Sequence, residues 1–143
     1  MLALAAVLSG ITLVTFAWRI ARIDSSQPER LIGELRLAQW AAVMLAAVGA
    51  ISSGIALSLP PQPLAGAEVA LGIIVVAWAG VVLQRDPREA LLFVSAGFVG
   101  HALLVLGHRP GWLVTDFAPR WYVVGVSIYD VCLAAVCFWS RRR

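Results

Sequence analysis

Five long apolar runs constrain this chain more than any other feature: Leu2–Ala17, Leu37–Leu59, Leu64–Leu83, Ala90–Leu106 and Trp121–Trp139, with the arginines set almost wholly in the gaps between them. At about 1.5 Å per helical residue, each run crosses or nearly crosses a hydrocarbon core of about 30 Å. A backbone in lipid must satisfy its own polar groups, so it forms helices or a closed barrel. These runs are too long for barrel strands and do not alternate in polarity. Charged residues are only 13% of the chain, against roughly 25% in soluble domains. The expected fold class is all-α: an integral membrane bundle of five transmembrane helices in one domain. The predicted spans are residues 2–20, 35–59, 64–84, 87–107 and 120–139.

Charge gives an orientation. Arg19, Arg22, Arg30, Arg36, Arg85, Arg88, Arg141, Arg142 and Arg143 fall on one side of a five-span arrangement, and only Arg109 and Arg120 on the other. The positive-inside rule then predicts the N-terminus outside and the C-terminus in the cytoplasm. The first run has no basic residue before it; Arg19 comes after the apolar stretch. That is the reverse of a cleavable signal and predicts a retained helix. Amphipathic indole rings prefer the headgroup level, so Trp18, Trp40, Trp78 and Trp139 are expected as anchors at the cytoplasmic interface, and Trp112 and Trp121 at the outer one.

Local signals place the helix starts. Ser26 and Glu29 have capping-box spacing with Pro28 between them, which predicts a second helix beginning near Gln27 with an amphipathic turn from Glu29 to Arg36. In Asp86-Pro87-Arg88-Glu89, Asp86 is expected to cap, Pro87 to take the first helical position and Glu89 to reach back. The stretch from Gly107 to Arg120 is broken by Pro110-Gly111, and its apolar Trp112, Leu113, Val114 and Phe117 suit the membrane interface or a partner surface. Small residues let helices approach closely in lipid. Gly49 with Ser53, Ala50 with Gly54, and Gly97 with Gly100 are the expected packing positions, whether the neighbouring helix belongs to this chain or another.

Ionisable groups within membrane spans are costly and therefore informative. Glu68, His101 and Asp130 qualify. Counting along the helices puts them about 7–8, 9 and 13 Å in from the outer ends of their spans. One reading is a proton-active or cation-binding cluster, with the imidazole titrating nearest neutral pH. The other is that Asp130 and His101 fix helix packing by hydrogen bonding while Glu68 snorkels to water. Haem b through His101 is a third candidate. His101 and His108 lie seven residues apart on one helix, about 10 Å, so both cannot bind one iron from opposite faces, and a second copy or partner would have to donate the other ligand. No protein metal site is expected. Cys132 and Cys137 project about 140° apart on a helix, too far round for a disulfide between them.

The chain carries no phosphate-cradling glycine loop, no His-Glu-x-x-His pair and no nucleophile elbow, which argues against an enzyme. Its basic balance follows from the positive-inside arginines and implies no nucleic-acid partner. The segment 101–137 does resemble a pattern in small uncharacterised bacterial multi-pass membrane proteins. The residues that carry it are His101-Ala102-Leu103 with His108, Trp121-Tyr122 and Tyr129-Asp130; Val105 stands where that pattern has an acidic residue. The resemblance implies no activity, but it does imply that His101 and Asp130 face each other. Trp18-Arg19 followed by Pro28-Glu29-Arg30 is similar to small cation/proton antiporter subunits, whose span number differs.

Three functions are therefore in play. The first is a non-catalytic accessory or structural subunit of a larger bacterial membrane complex, an energy-transducing one among the candidates. It would have the lipid bilayer and membrane proteins, or further copies of itself, as partners. The second is a small proton- or cation-coupled transporter using Glu68, His101 and Asp130. The third is a haem-binding membrane redox protein.

Overall fold

The computed structural model describes residues 2–58, 60, 65–108 and 118–142. Trp112, with the apolar stretch around it, and Pro61 to Pro63 lie outside the described residues. Five helices follow in order: α1 (Leu2–Ala21), α2 (Pro28–Ser58), α3 (Ala65–Val82), α4 (Pro87–Gly107) and α5 (Arg120–Arg142). All five are long and apolar enough to cross a membrane.

The first turns of α2 and α4 start at prolines, whose missing N–H costs nothing there. Neither start is capped by the bonds that the sequence suggests. The Ser26 hydroxyl and backbone N–H both turn back to Asp24 Oδ1, at 3.0 Å each. Asp86 occupies the cap position of α4 without a side-chain cap bond; its carbonyl accepts from the Ala90 N–H at 2.7 Å. Glu89 reaches one turn back only as far as Arg85, at 4.0 Å and in solvent.

Helix α2 is the hub. It touches each of the other four helices, whereas α1 touches only α2 and α5 among the described residues. Leu37, Leu45, Leu91, Phe98 and Val94 are fully buried between α2 and α4, and Leu133 joins them from α5. Contact between α2 and α3 depends on glycine. A Cβ on Gly49 would lie 2.9 Å from the Gly72 carbonyl oxygen, and one on Gly72 would meet the Ser53 side chain. Gly97 makes room for Trp78, whose indole N–H donates to the Phe93 carbonyl at 2.8 Å and whose ring stacks on Phe93. Trp78 therefore clips α3 to α4 as well as being suited to an interface. Gly54 and Gly100 meet nothing within 4 Å among the described residues.

Helices in this apolar bundle are also tied by hydrogen bonds, each contributing about 0.6 kcal/mol and up to ~1.7 in a lipid environment. Ser95 Oγ donates to Ala134 O at 2.9 Å, and Ser9 Oγ meets Tyr129 Oη at 2.9 Å. Ser53 Oγ donates to Val69 O at 3.3 Å. Of the expected interface tryptophans, Trp18, Trp40, Trp121 and Trp139 all lie on the exposed surface, and Trp18 carries the Arg22 guanidinium over its ring at 3.4 Å. Cys132 is exposed and Cys137 buried, both as free thiols.

The arginine-rich end of the bundle is fastened by charge. Arg30 Nε lies 3.1 Å from Glu34 Oε1 one turn along α2, and Arg88 Nε of α4 lies 3.8 Å from Glu34 Oε2. Arg30 also donates to the Ile23 carbonyl at 3.1 Å, which ties the α1–α2 connector to the same point. Glu34 and Arg30 are buried. The opposite end holds the candidate site.

Candidate functional site

Residues separated by seven positions share a helix face. On α4 this face carries His101 and His108, and each imidazole meets a carboxylate from a different helix. His101 Nδ1 lies 2.6 Å from Asp130 Oδ2 of α5. His108 Nε2 lies 3.1 Å from Glu68 Oε1 of α3. On its other side, His101 Nε2 lies 3.0 Å from Ser52 Oγ of α2. Four helices thus each give polar side chains to one place. His101, Asp130 and Glu68 are buried, and the His108 side chain is only 6% exposed.

A cavity of about 10 Å³ lies between the two histidines, lined by Ser52, Glu68, His101 and His108 together with Leu71, Gly72 and neighbouring apolar groups. That size is at the lower bound for one water molecule. Gly72, which lets α3 approach α2, lies in the cavity wall, so the close helix contact also sets the distance between Ser52 and Glu68.

Three readings of the sequence meet different outcomes here. His101 and Asp130 are in direct contact. Glu68 does not reach outward to water; it is 5% exposed and turned onto His108. Ser52 and His108 are partners that the sequence reading did not assign to the cluster. Seven-residue spacing from His101 was the available signal for His108, and Ser52 gave none, because a serine in an apolar helix commonly bonds its own backbone.

The two histidines differ in what they can do. A carbonyl only accepts, so in its 3.1 Å contact with Val105 O the Nδ1–H of His108 is the donor. Its Nε2 faces Glu68 Oε1 at ion-pair distance, 3.1 Å. His101 has both nitrogens in a chain. With Asp130 ionised, Nδ1–H donates to the carboxylate and Nε2 accepts from the Ser52 hydroxyl. A proton arriving at Nε2 makes the imidazolium, and Nδ1 can then pass its own proton to Asp130 across 2.6 Å. His101 is engaged at both ring nitrogens by side chains of other helices, Asp130 and Ser52, whereas His108 meets a backbone carbonyl of its own helix and Glu68 of α3.

Asp130 Oδ1 is buried and accepts no hydrogen bond among the described residues. Leaving a buried polar atom unpaired is costly, so this carboxyl is held by His101 alone among the described residues. The order Asp130, His101, Ser52 also matches a hydrolytic triad. Acyl transfer needs backbone N–H donors at the nucleophile for the oxyanion. Ser52 lies inside α2, where the local N–H groups are spent on helix carbonyls, so the three side chains have no oxyanion donors at Ser52. Haem iron at His101 would first have to break one of its two bonds, to Asp130 or to Ser52. No cluster of three or more His, Cys, Asp or Glu side chains suited to a metal ion occurs among the described residues.

Comparison with family models, with curated proteins and with solved structures found no match to this chain.

Proposed function

We propose that this protein is a multi-pass membrane protein that moves protons, alone or coupled to a cation. It would sit in a bacterial cytoplasmic membrane with its arginine-rich end inward. The observation that carries the reading is the pairing of His101 with Asp130 at 2.6 Å and of His108 with Glu68 at 3.1 Å, with both histidines and Glu68 lining one cavity. Burying four ionisable side chains in an apolar bundle is expensive unless they work. Histidine changes charge nearest neutral pH of all side chains. Placed in the outer half of the membrane, Glu68 and His108 would exchange protons with the outside, and His101 would carry them inward to Asp130.

The test is proton flux into liposomes that hold the purified protein and a trapped pH-sensitive dye, driven by a pH gradient with potassium and valinomycin to clamp the voltage. Flux well above protein-free vesicles is expected, and its loss in Asp130→Asn with helicity and elution volume unchanged. Flux equal to empty vesicles, or full flux in folded Asp130→Asn, would remove the proposal.

A second reading, an accessory subunit of a larger membrane complex, is favoured by Gly54 and Gly100. Both suit close helix packing, yet neither meets a neighbour among the described residues, so another chain would supply the helix. A native mass measured after gentle extraction from the host membrane separates the readings: a large assembly of fixed stoichiometry supports the subunit, and a lone chain removes it.

A further inference from the structure

Between α1 and α2, near the arginine-rich end, runs a groove of about 520 Å³ whose walls include Thr12, Leu13 and Phe16 on one side and Trp40 and Met44 on the other, with Arg19 at its end. The hydroxyls along it are already spent. Ser9, Thr12 and Thr15 donate to Ala6 O, Leu8 O and Thr12 O at 2.9, 2.8 and 2.9 Å, so the wall presents carbon to whatever fills it.

The groove is long and narrow. Ser9 to Arg19 is about 15 Å of helix, and an extended alkyl chain fits along that length against the carbon-lined wall.

Charge marks the end of the groove. Ile20 packs against Gly33, where an added Cβ would lie 2.9 Å from Ile20 Cγ1. Arg19 therefore lies level with the stretch of α2 just after Gly33, which contains Arg36. Arg36 is also one turn before Trp40 and shares its helix face. Both arginines are exposed, and neither forms an ion pair among the described residues. The neighbouring arginines are occupied: Arg22 by the Trp18 ring, and Arg30 and Arg88 by Glu34.

The geometry points to a binding site for an anionic phospholipid, with one acyl chain in the α1–α2 groove and the phosphate held by Arg19 and Arg36. Basic pockets between helices at the cytoplasmic face are suited to acidic headgroups. The site rests on the proposed membrane placement and not on proton transfer. Retention of the chain in the membrane pellet after an alkaline wash is therefore scored first and separately.

The test is native mass spectrometry of the full chain released from vesicles of equal parts phosphatidylglycerol and phosphatidylcholine. One retained phosphatidylglycerol per chain is expected, with a preference over phosphatidylcholine of about fivefold for each arginine. Arg19→Gln with Arg36→Gln should abolish the preference while a lipid is still retained. Met44→Trp, which fills the groove, should abolish retention of both lipids. Equal retention of the two lipids by the parent chain would overturn the proposal. So would a preference untouched by the arginine pair, or a lipid-free dimer with the groove covered by a second copy.

Discussion

At the arginine-rich end Glu34 lies 3.1 Å from Arg30 and 3.8 Å from Arg88. At the other end Asp130 and Glu68 lie 2.6 and 3.1 Å from imidazoles. Both arrangements bury carboxyl groups between helices, but their partners differ in kind. A guanidinium keeps its charge at any pH a protein survives, so the partners of Glu34 are fixed cations and the cluster acts as a fastener. An imidazole can take and give a proton, so the partners in the second arrangement are groups able to exchange one. The same carboxylate chemistry is structural in one place and suited to transfer in the other because of its neighbours.

The largest effect expected from breaking this contrast is on flux. Glu68→Gln is expected to lower proton flux in the liposome assay by about 10²-fold or more, the scale of losing a positioned proton carrier. Glu34→Gln should leave the flux of each folded molecule unchanged. Equal losses in the two variants would mean that the ends do not differ in role.

Stability should show the reverse ranking. Arg30→Gln leaves the buried Glu34 with only the exposed Arg88 at 3.8 Å and should cost about 3 kcal/mol, read as reversible unfolding in mixed micelles. Arg88→Gln removes a side chain that is 65% exposed at 3.8 Å, and should cost under about 1 kcal/mol in the same measurement. Between these lies Gly72→Val, at about 1–3 kcal/mol for overpacking against Gly49 O. It should also lower flux by moving Ser52 away from His101. Gly54→Val and Gly100→Val should change monomer stability by less than about 0.5 kcal/mol.

The smallest effect belongs to the connector. The Asp24 carboxyl is held below its ordinary range, first by the Ser26 backbone N–H and then by the Ser26 hydroxyl. The stability this lends is present above the ordinary carboxylate value and is lost as the pH falls through the lower folded value. Ser26→Ala removes the hydroxyl only, so the Asp24 titration followed by NMR should rise part of the way toward its usual position. A full return would mean that the backbone bond is absent in solution.

Helix number and the buried rank of Glu68, His101 and Asp130 were legible in the sequence, because an ionisable side chain in an apolar run has few inexpensive places to go. The partners were not. Where a helix is apolar all round, its sequence leaves open which face meets which neighbour. Ser52 and Ser53 are adjacent, yet one turns to His101 and the other to the Val69 carbonyl. Glu34 read as part of a solvated amphipathic turn, because its burial depends on where α4 places Arg88. Gly72 was not among the packing positions that the sequence singled out, yet α2 lies in contact with it. Rotation about the helix axes, set by long-range packing, supplied what local pattern did not.

The unlike settings of Cys132 and Cys137 give the bundle a reporter without any substitution. A thiol-reactive nitroxide or fluorophore should attach at Cys132 in the folded protein and reach Cys137 only after α5 has come away from the core. Cys132 borders the seam between α1 and α5, beside Gly10 and Tyr129. A probe there would sense α1 swinging outward, the motion with the fewest restraints because α1 is in lighter contact with the bundle than any other helix, and the stoichiometry of labelling alone would time the opening of the bundle.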